Sequence, residues 1–252
     1  MTRTILIDGD VIAYTAASAV EREYDWGDDL WTLHSDIGEA QKKATDSIEA
    51  LTEKLKADHV VMAFSDADNF RKSFFPDYKG NRKDKRKPLA LKELKAWIGE
   101  RYETWVRPGL EGDDVLGILS THPKMFPGEK IIVSIDKDFK TIPGYFFNPD
   151  KDTQPQFIDE KTADHWHMMQ TLMGDATDGY PGCPGIGPKT AEKILTRGSD
   201  DPRTPWERVV ETYEDKGLTE EDALTQARCA RILRYSDYNF KTKEPILWHP
   251  AQ

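Results

Sequence analysis

TILIDGD, residues 4–10, sets a run of apolar and β-branched residues directly against an Asp-Gly-Asp turn. An apolar run without alternation suits a strand covered on both faces, the habit of parallel sheets. The design recurs at residues 59–64, HVVMAF, just before Asp66, and at residues 130–135, KIIVSI, just before Asp136. Between the first two runs, Ala44, Ile48, Leu51 and Leu55 form a helical apolar stripe. Strand and helix signals that alternate in this way predict an α/β fold built on a parallel sheet. In such sheets ligands bind beyond the carboxyl ends of the strands, where Asp8, Asp66 and Asp136 all fall.

Working outward, the 252 residues are 38% apolar and 10% aromatic, enough for one compact enzyme or a large and a small domain. No run approaches the roughly 18 apolar residues of a membrane span. The opening MTRTILIDGD has no charged leader followed by an apolar stretch, so a soluble, cytoplasmic protein without membrane contact is expected. Cys183 and Cys229 have no partner at metal-ligand spacing, which argues against a disulfide framework or a zinc site. Residues 79–107 join a basic run to an amphipathic stretch bearing Leu91, Leu94, Trp97 and Ile98, and predict one or two helices rising from the sheet. After Pro149 the character changes, so residues 1–150 are expected to form the sheet domain and residues 151–252 a helical region.

A formal charge of −10 suits a nucleic-acid protein poorly, but it conceals two districts. Residues 71–95 hold ten Lys or Arg against three acids. Nine acids lie in five clusters: Asp8; Asp66; Glu111, Asp113 and Asp114; Asp136 and Asp138; Asp175 and Asp178. Leaving these nine out moves the formal charge to −1, so the acidity of the chain is largely the acidity of one prospective site. Carboxylates gathered this closely cannot all ionise cheaply without counter-ions. Hard divalent cations with oxygen ligands resolve this, and because magnesium takes only a few carboxylates directly, nine acids suggest two ions. A histidine mechanism competes poorly, since the six His residues stand in no triad order.

In GIGPKT, residues 185–190, Gly185 and Gly187 permit positive φ and close approach, and Pro188 suits a first helical turn. The helix N-terminus that follows offers free amides to an anion, and Lys189 adds a charge. This is the pattern of a hairpin between helices that holds a DNA backbone phosphate without reading sequence.

With these motifs in place, the chain resembles the flap endonuclease and 5′ nuclease family, and within it the 5′→3′ exonucleases of short-tailed, T7-like phages. The resemblance covers LIDGD at 6–10, AFSDADNFRK at 63–72, YKGNRK at 78–83, EGDDV at 111–115, SIDKDFKTI at 134–142, GDATDGYPG at 174–182, GIGPKTAEKIL at 185–195 and ARILRYSDYNF at 230–240. It implies a PIN-like domain with a helical arch at about 79–107 and a helix-three-turn-helix module at about 166–196. By the same resemblance Asp8, Asp66, Glu111, Asp113 and Asp114 surround a first metal, and Asp136, Asp138, Asp175 and Asp178 a second. Lys79 and Arg82 would face the scissile phosphate, and Tyr14 would meet the terminal base. Arg71, Lys72, Tyr78, Lys83, Lys85, Arg86, Lys87, Gly185, Gly187, Lys189 and Thr190 are expected to contact DNA. The implied cofactors are two magnesium ions, with manganese as the alternative, and potassium at the helical hairpin.

The expected activity is two-metal hydrolysis of DNA at free 5′ ends, nicks, flaps and RNA primers, leaving 5′-phosphorylated products, with replication proteins as further partners. A PIN-type ribonuclease and a DNA-binding protein without catalysis are the alternatives. The glycine hairpin argues against the first, and the full set of carboxylates with Lys79 and Arg82 against the second.

Overall fold

The computed structural model describes residues 2–82, 85–196 and 201–250. The three apolar runs form β1 (Arg3–Asp8), β4 (His59–Ala63) and β6 (Glu129–Val133), with the hairpin β2 (Glu21–Asp25) and β3 (Trp31–Ser35) inserted between the first two. Short strands β5 (Glu103–Trp105), β7 (Gly144–Phe147) and β8 (Gln156–Ile158) extend the sheet. Among the described residues its order is β5-β4-β1-β6-β7-β8. All neighbours run parallel except β8, which pairs antiparallel with β7. Strand β1 is central: Ile5 registers with Val60 on one side and Ile131 on the other.

Because side chains alternate along a strand, the TILI run serves two cores at once. Ile5 and Ile7 pack with Met62 and Val133 against α1 (Gly9–Val20), α2 (Ile37–Leu55) and α3 (Leu91–Arg101), through Ala13, Ala17, Ile48, Leu94 and Ile98. Leu6, Val61 and Ile132 face the other way, onto Val115, Leu116 and Leu119 of α4 (Gly112–Thr121) and onto Ile232 and Leu233. The parallel α/β sheet expected from the sequence is therefore present, and Ala44, Ile48, Leu51 and Leu55 are the buried face of α2.

A third core joins α5 (Glu160–Met173), α6 (Pro188–Leu195), α7 (Pro205–Glu214) and α8 (Glu220–Ala230) through Leu172, Ala191, Val209, Tyr213 and Ala223. The α5–α6 connection folds back on itself. Gly174 has φ +68°, and a Cβ there would meet the Pro181 carbonyl carbon at 2.3 Å. Only glycine fits that crossing.

The stretch 79–107 departs from expectation. Rather than rising from the sheet, α3 buries Leu94 and Ile98 beneath it, and β5 lies within the same stretch. The apolar face of Leu91, Leu94, Trp97 and Ile98 is a core face of α3. Among the described residues no helix is long and apolar enough to cross a membrane.

Candidate active site

The carboxyl ends of β1 and β6 bring the first acids together. Asp8 closes β1 and caps α1, accepting from the Val11 N–H at 3.1 Å, while its other oxygen accepts from Ser134 Oγ at 3.0 Å. Ser134 Oγ in turn accepts from the Asp136 N–H at 3.1 Å. Burial pushes the Asp8 carboxyl up to about 6, with the charges of Asp10 and Asp136 adding to it. Asp113, in the first turn of α4, is raised well above the carboxylate range, by burial first and then by Asp8. Asp136 contributes to both shifts, so Asp8, Asp113 and Asp136 form one electrostatic nest.

Asp136 also leads to the next acids. Its Oδ1 accepts from the Asp138 N–H at 2.8 Å, capping a short turn at Lys137–Thr141. Burial, then the Asp136 charge, raises Asp138 to about 6. Asp175, in the α5–α6 turn, is brought within reach by Lys137, whose Nζ donates to Asp138 Oδ1 at 2.9 Å and to Asp175 Oδ2 at 3.1 Å. Burial opposes ionisation of Asp175, but Lys137 and the N–H groups of Thr177 and Asp178 outweigh it and lower its pKa.

Glu111 and Asp178 share a separate set of partners. Lys79 Nζ pairs with Glu111 and lies 3.4 Å from Asp178 Oδ2. Tyr78 Oη lies 3.0 Å from Glu111 Oε2 and 2.9 Å from Asp178 Oδ2, so it can donate to either. Burial works against the Glu111 carboxylate, yet Lys79 and Arg71 bring it down to about 2. Arg82 donates to Asp178 Oδ1 at 2.8 Å, and the Lys79 N–H donates to the Asp178 carbonyl at 2.7 Å. The YKGNR segment is thus fastened to the α5–α6 turn, with Lys79 itself at φ +54°.

Three expected site residues have other employment. Arg71, expected on DNA, is 2% exposed, and its guanidinium makes a bidentate pair with Asp114 at 2.8 Å on both arms. Asp114, expected at a metal, has no exposed surface and also accepts from the Leu233 N–H at 3.1 Å. A carboxylate matched this closely to a guanidinium is its interior counter-charge, and Arg71, so covered, does not face DNA. Tyr78 is 2% exposed and orients Glu111 and Asp178 rather than meeting DNA directly. Asp66 Oδ2 accepts from the Gly109 N–H at 2.7 Å, and backbone N–H groups, Gly109 first, lower its pKa.

Most of the prospective DNA contacts are exposed. Tyr14 on α1 is half exposed, and Lys72, Lys85, Arg86 and Lys87 are exposed. Arg86 is tied to Glu21, which also accepts from the Leu89 N–H at 2.8 Å. Lys83 lies outside the described residues. Gly185, Gly187, Lys189 and Thr190 are all exposed at the start of α6. Gly185 takes φ +78°, whereas Gly187, which precedes Pro188, is extended at φ −102°. The backbone shape reserved for glycine is therefore at Gly185, and at Gly187 the smallness of the residue is what counts.

Sequence reading passed over Asp10 and Lys137, both inside quoted motifs. Asp10 Oδ2 accepts from the Ser65 N–H at 2.8 Å, and its Oδ1 accepts from Lys95 Nζ at 2.7 Å, joining α1, α3 and the end of β4 beside the nest. The second acid of DGD and the lysine of DKD were the signals available.

The model of the "5'-3' exonuclease, N-terminal resolvase-like domain" matches residues 3–155, well over half of the chain. The chain belongs to the 5′–3′ exonuclease family. It is 36% identical to the exonuclease of Escherichia phage T7 over 98% of this chain and 93% of that protein. It is 34% identical to the exodeoxyribonuclease of Enterobacteria phage T3 over 98% of this chain and 92% of that one. As a member of the family it is a nuclease, a phosphodiester hydrolase. The T5 D15 protein co-crystallised with metal ions shares the fold, with a TM-score of 0.61 at 15% identity over 89% of this chain and 87% of that one.

Proposed function

We propose that this family member is a structure-specific 5′→3′ DNA exonuclease with flap endonuclease and RNA-primer-removing activity, releasing 5′-phosphorylated products. The observation that carries the reading is the nest of Asp8, Asp113, Asp136 and Asp138 at the strand ends, flanked by Lys79 and Arg82 and joined to the helical hairpin through Asp175 and Asp178. Burial first, and then the charges of neighbouring acids, raise Asp8, Asp113 and Asp138, so the nest holds covered carboxylates that also repel one another. The donor set is oxygen alone, which fits hard divalent ions, magnesium first and manganese as the alternative. Among the described residues no three acidic, histidine or cysteine side chains already converge as a metal site, and lysine ammoniums lie between several of the acids. The T5 D15 protein, a flap endonuclease of the same fold, has been crystallised with metal ions and, as a pseudo-enzyme-product complex, with DNA and metal ions.

Asp8, Asp113 and Asp136 would hold one ion and Asp138, Asp175 and Asp178 the other, with Asp136 between them. When bound, the ions supply Lewis acidity and activate the attacking water. Lys79, positioned by Glu111 and Asp178, and Arg82 present positive charge to the phosphate that is attacked. Exposed amides at the start of α6, with Lys189 and Thr190, hold the duplex backbone, and a potassium ion at that turn belongs to the same reading. The partners are duplex DNA with free 5′ ends, nicks, flaps or RNA primers, together with replication proteins, and the setting is the host cytoplasm. Labelled duplex, nicked, 5′-flap, RNA-primed and structured RNA substrates, each with magnesium or with EDTA, test this. Cleavage from DNA 5′ ends only with magnesium supports the proposal, and cleavage in EDTA or of RNA alone overturns it.

A further inference from the structure

Lys137 occupies an unusual place for a cation. Its ammonium joins Asp138 at the end of β6 to Asp175 in the α5–α6 turn, two acids from different parts of the chain. Both carboxylates are mostly covered, with 17% and 13% of their side chains exposed, whereas the Lys137 side chain is 57% exposed. Asp136 sets a further negative charge against Asp138. Three acids therefore crowd one corner, and the cation that offsets them sits on a flexible, unbranched stem that reaches in from solvent. Lys79 differs: it pairs with Glu111 from a largely buried position and from a backbone fastened to Asp178.

We propose that Lys137 is a built-in counter-ion of the second metal subsite, exchanged for the divalent ion when that ion binds. This rests on the two-ion reading above. Without the ion, the ammonium keeps Asp138 and Asp175 together and limits their repulsion. An arriving cation with more charge and more coordination sites displaces it, and the stem swings back to solvent. The ion must then outcompete a resident partner, so its apparent affinity is lower than the carboxylates alone would give. The first subsite has no such exposed competitor among the described residues, so the two ions bind with unequal strength and the second leaves more readily.

The test is direct titration of the full chain, without DNA, with Mn2+ followed by the electron paramagnetic resonance of the free ion. Wild type should show a tight and a weak class of site. Lys137→Met should tighten the weak class by roughly fivefold, the scale of losing a partly exposed ion pair, and Lys137→Arg should leave it near wild type. Asp175→Asn should weaken that class in either background. In EDTA, Lys137→Met should melt below wild type and regain the difference on adding Mn2+, a pattern that a lost packing contact would not give. An unchanged or weakened second class in folded Lys137→Met overturns the exchange while leaving two-ion binding intact. One class of site in every variant overturns the two-ion reading and the exchange with it.

Discussion

Arg71 and Asp114 meet through two parallel N–H to oxygen contacts of 2.8 Å, out of reach of solvent. Arg71 Nε also donates to the Cys229 carbonyl at 3.1 Å, and Asp114 accepts from the Leu233 N–H. Removing one member leaves the other charge buried without its match. Arg71→Met should therefore lower stability by about 3–5 kcal/mol in denaturant titration. At a temperature where the variant is folded, the salt dependence of DNA binding should stay that of wild type. A flatter salt slope would return Arg71 to the DNA-facing surface.

Asp136→Ala and Asp138→Ala should each abolish turnover while DNA affinity persists, because both acids lie among other acids beyond the strand ends, where they serve the chemistry more than the docking of DNA. Single-turnover cleavage and equilibrium binding on one 5′-flap substrate decide the matter. Substantial cleavage by either variant in magnesium would rule out the nest as the seat of chemistry.

Lys79 and Lys85 should separate rate from affinity. Lys79 is positioned by two carboxylates, so Lys79→Ala should slow the bound complex by a factor on the order of 10² or more. Lys85 is exposed, and Lys85→Ala should weaken binding and flatten the salt slope by about one unit if it touches one phosphate. The measurement is single-turnover rate beside salt-titrated affinity. Equal rates for the two variants would remove Lys79 from catalysis.

The pH dependence of the metal-free protein follows from Asp8 and Asp138, each raised from the ordinary value of 3.8 to about 6. Between those values the folded state holds more protons than the unfolded chain, so stability falls as pH rises through the window. A divalent ion favours the ionised acids and opposes the loss. The rise in melting temperature on adding magnesium should therefore grow from pH 4.5 to 6.5. A rise independent of pH across that range would show that these two acids do not face the ion.

Much of this was legible in the sequence. TILIDGD and its two counterparts announce the parallel strands, because a short strand that spends three or more consecutive positions on apolar side chains is one covered on both faces. The hairpin at residues 21–35 was not legible, since EREYD is mostly charged and the alternation of Trp31 and Leu33 in WTLHS is too short to stand out. Nor could EGDD be divided among its partners. Adjacent helical positions point in different directions, and which of Asp113 and Asp114 meets the nest depends on where Arg71 arrives from elsewhere in the fold. The amphipathic face of α3 reads the same whether it covers a sheet or stands over a groove. Only packing against α1 and α2 decided between them.

The contacts of Arg71 and Asp114 with residues 229–233 bear on the order in which this protein comes into being. Synthesis runs from the N-terminus, so the strands bearing Asp8 and Asp136 leave the ribosome long before the Cys229 and Arg231 carbonyls and the Leu233 amide that these two buried charges require. Until then the guanidinium and carboxylate lack these partners, and the face of the sheet that receives Ile232 and Leu233 is bare. A nascent chain is thus held back from completing a DNA-cutting centre until nearly all of these residues have been translated.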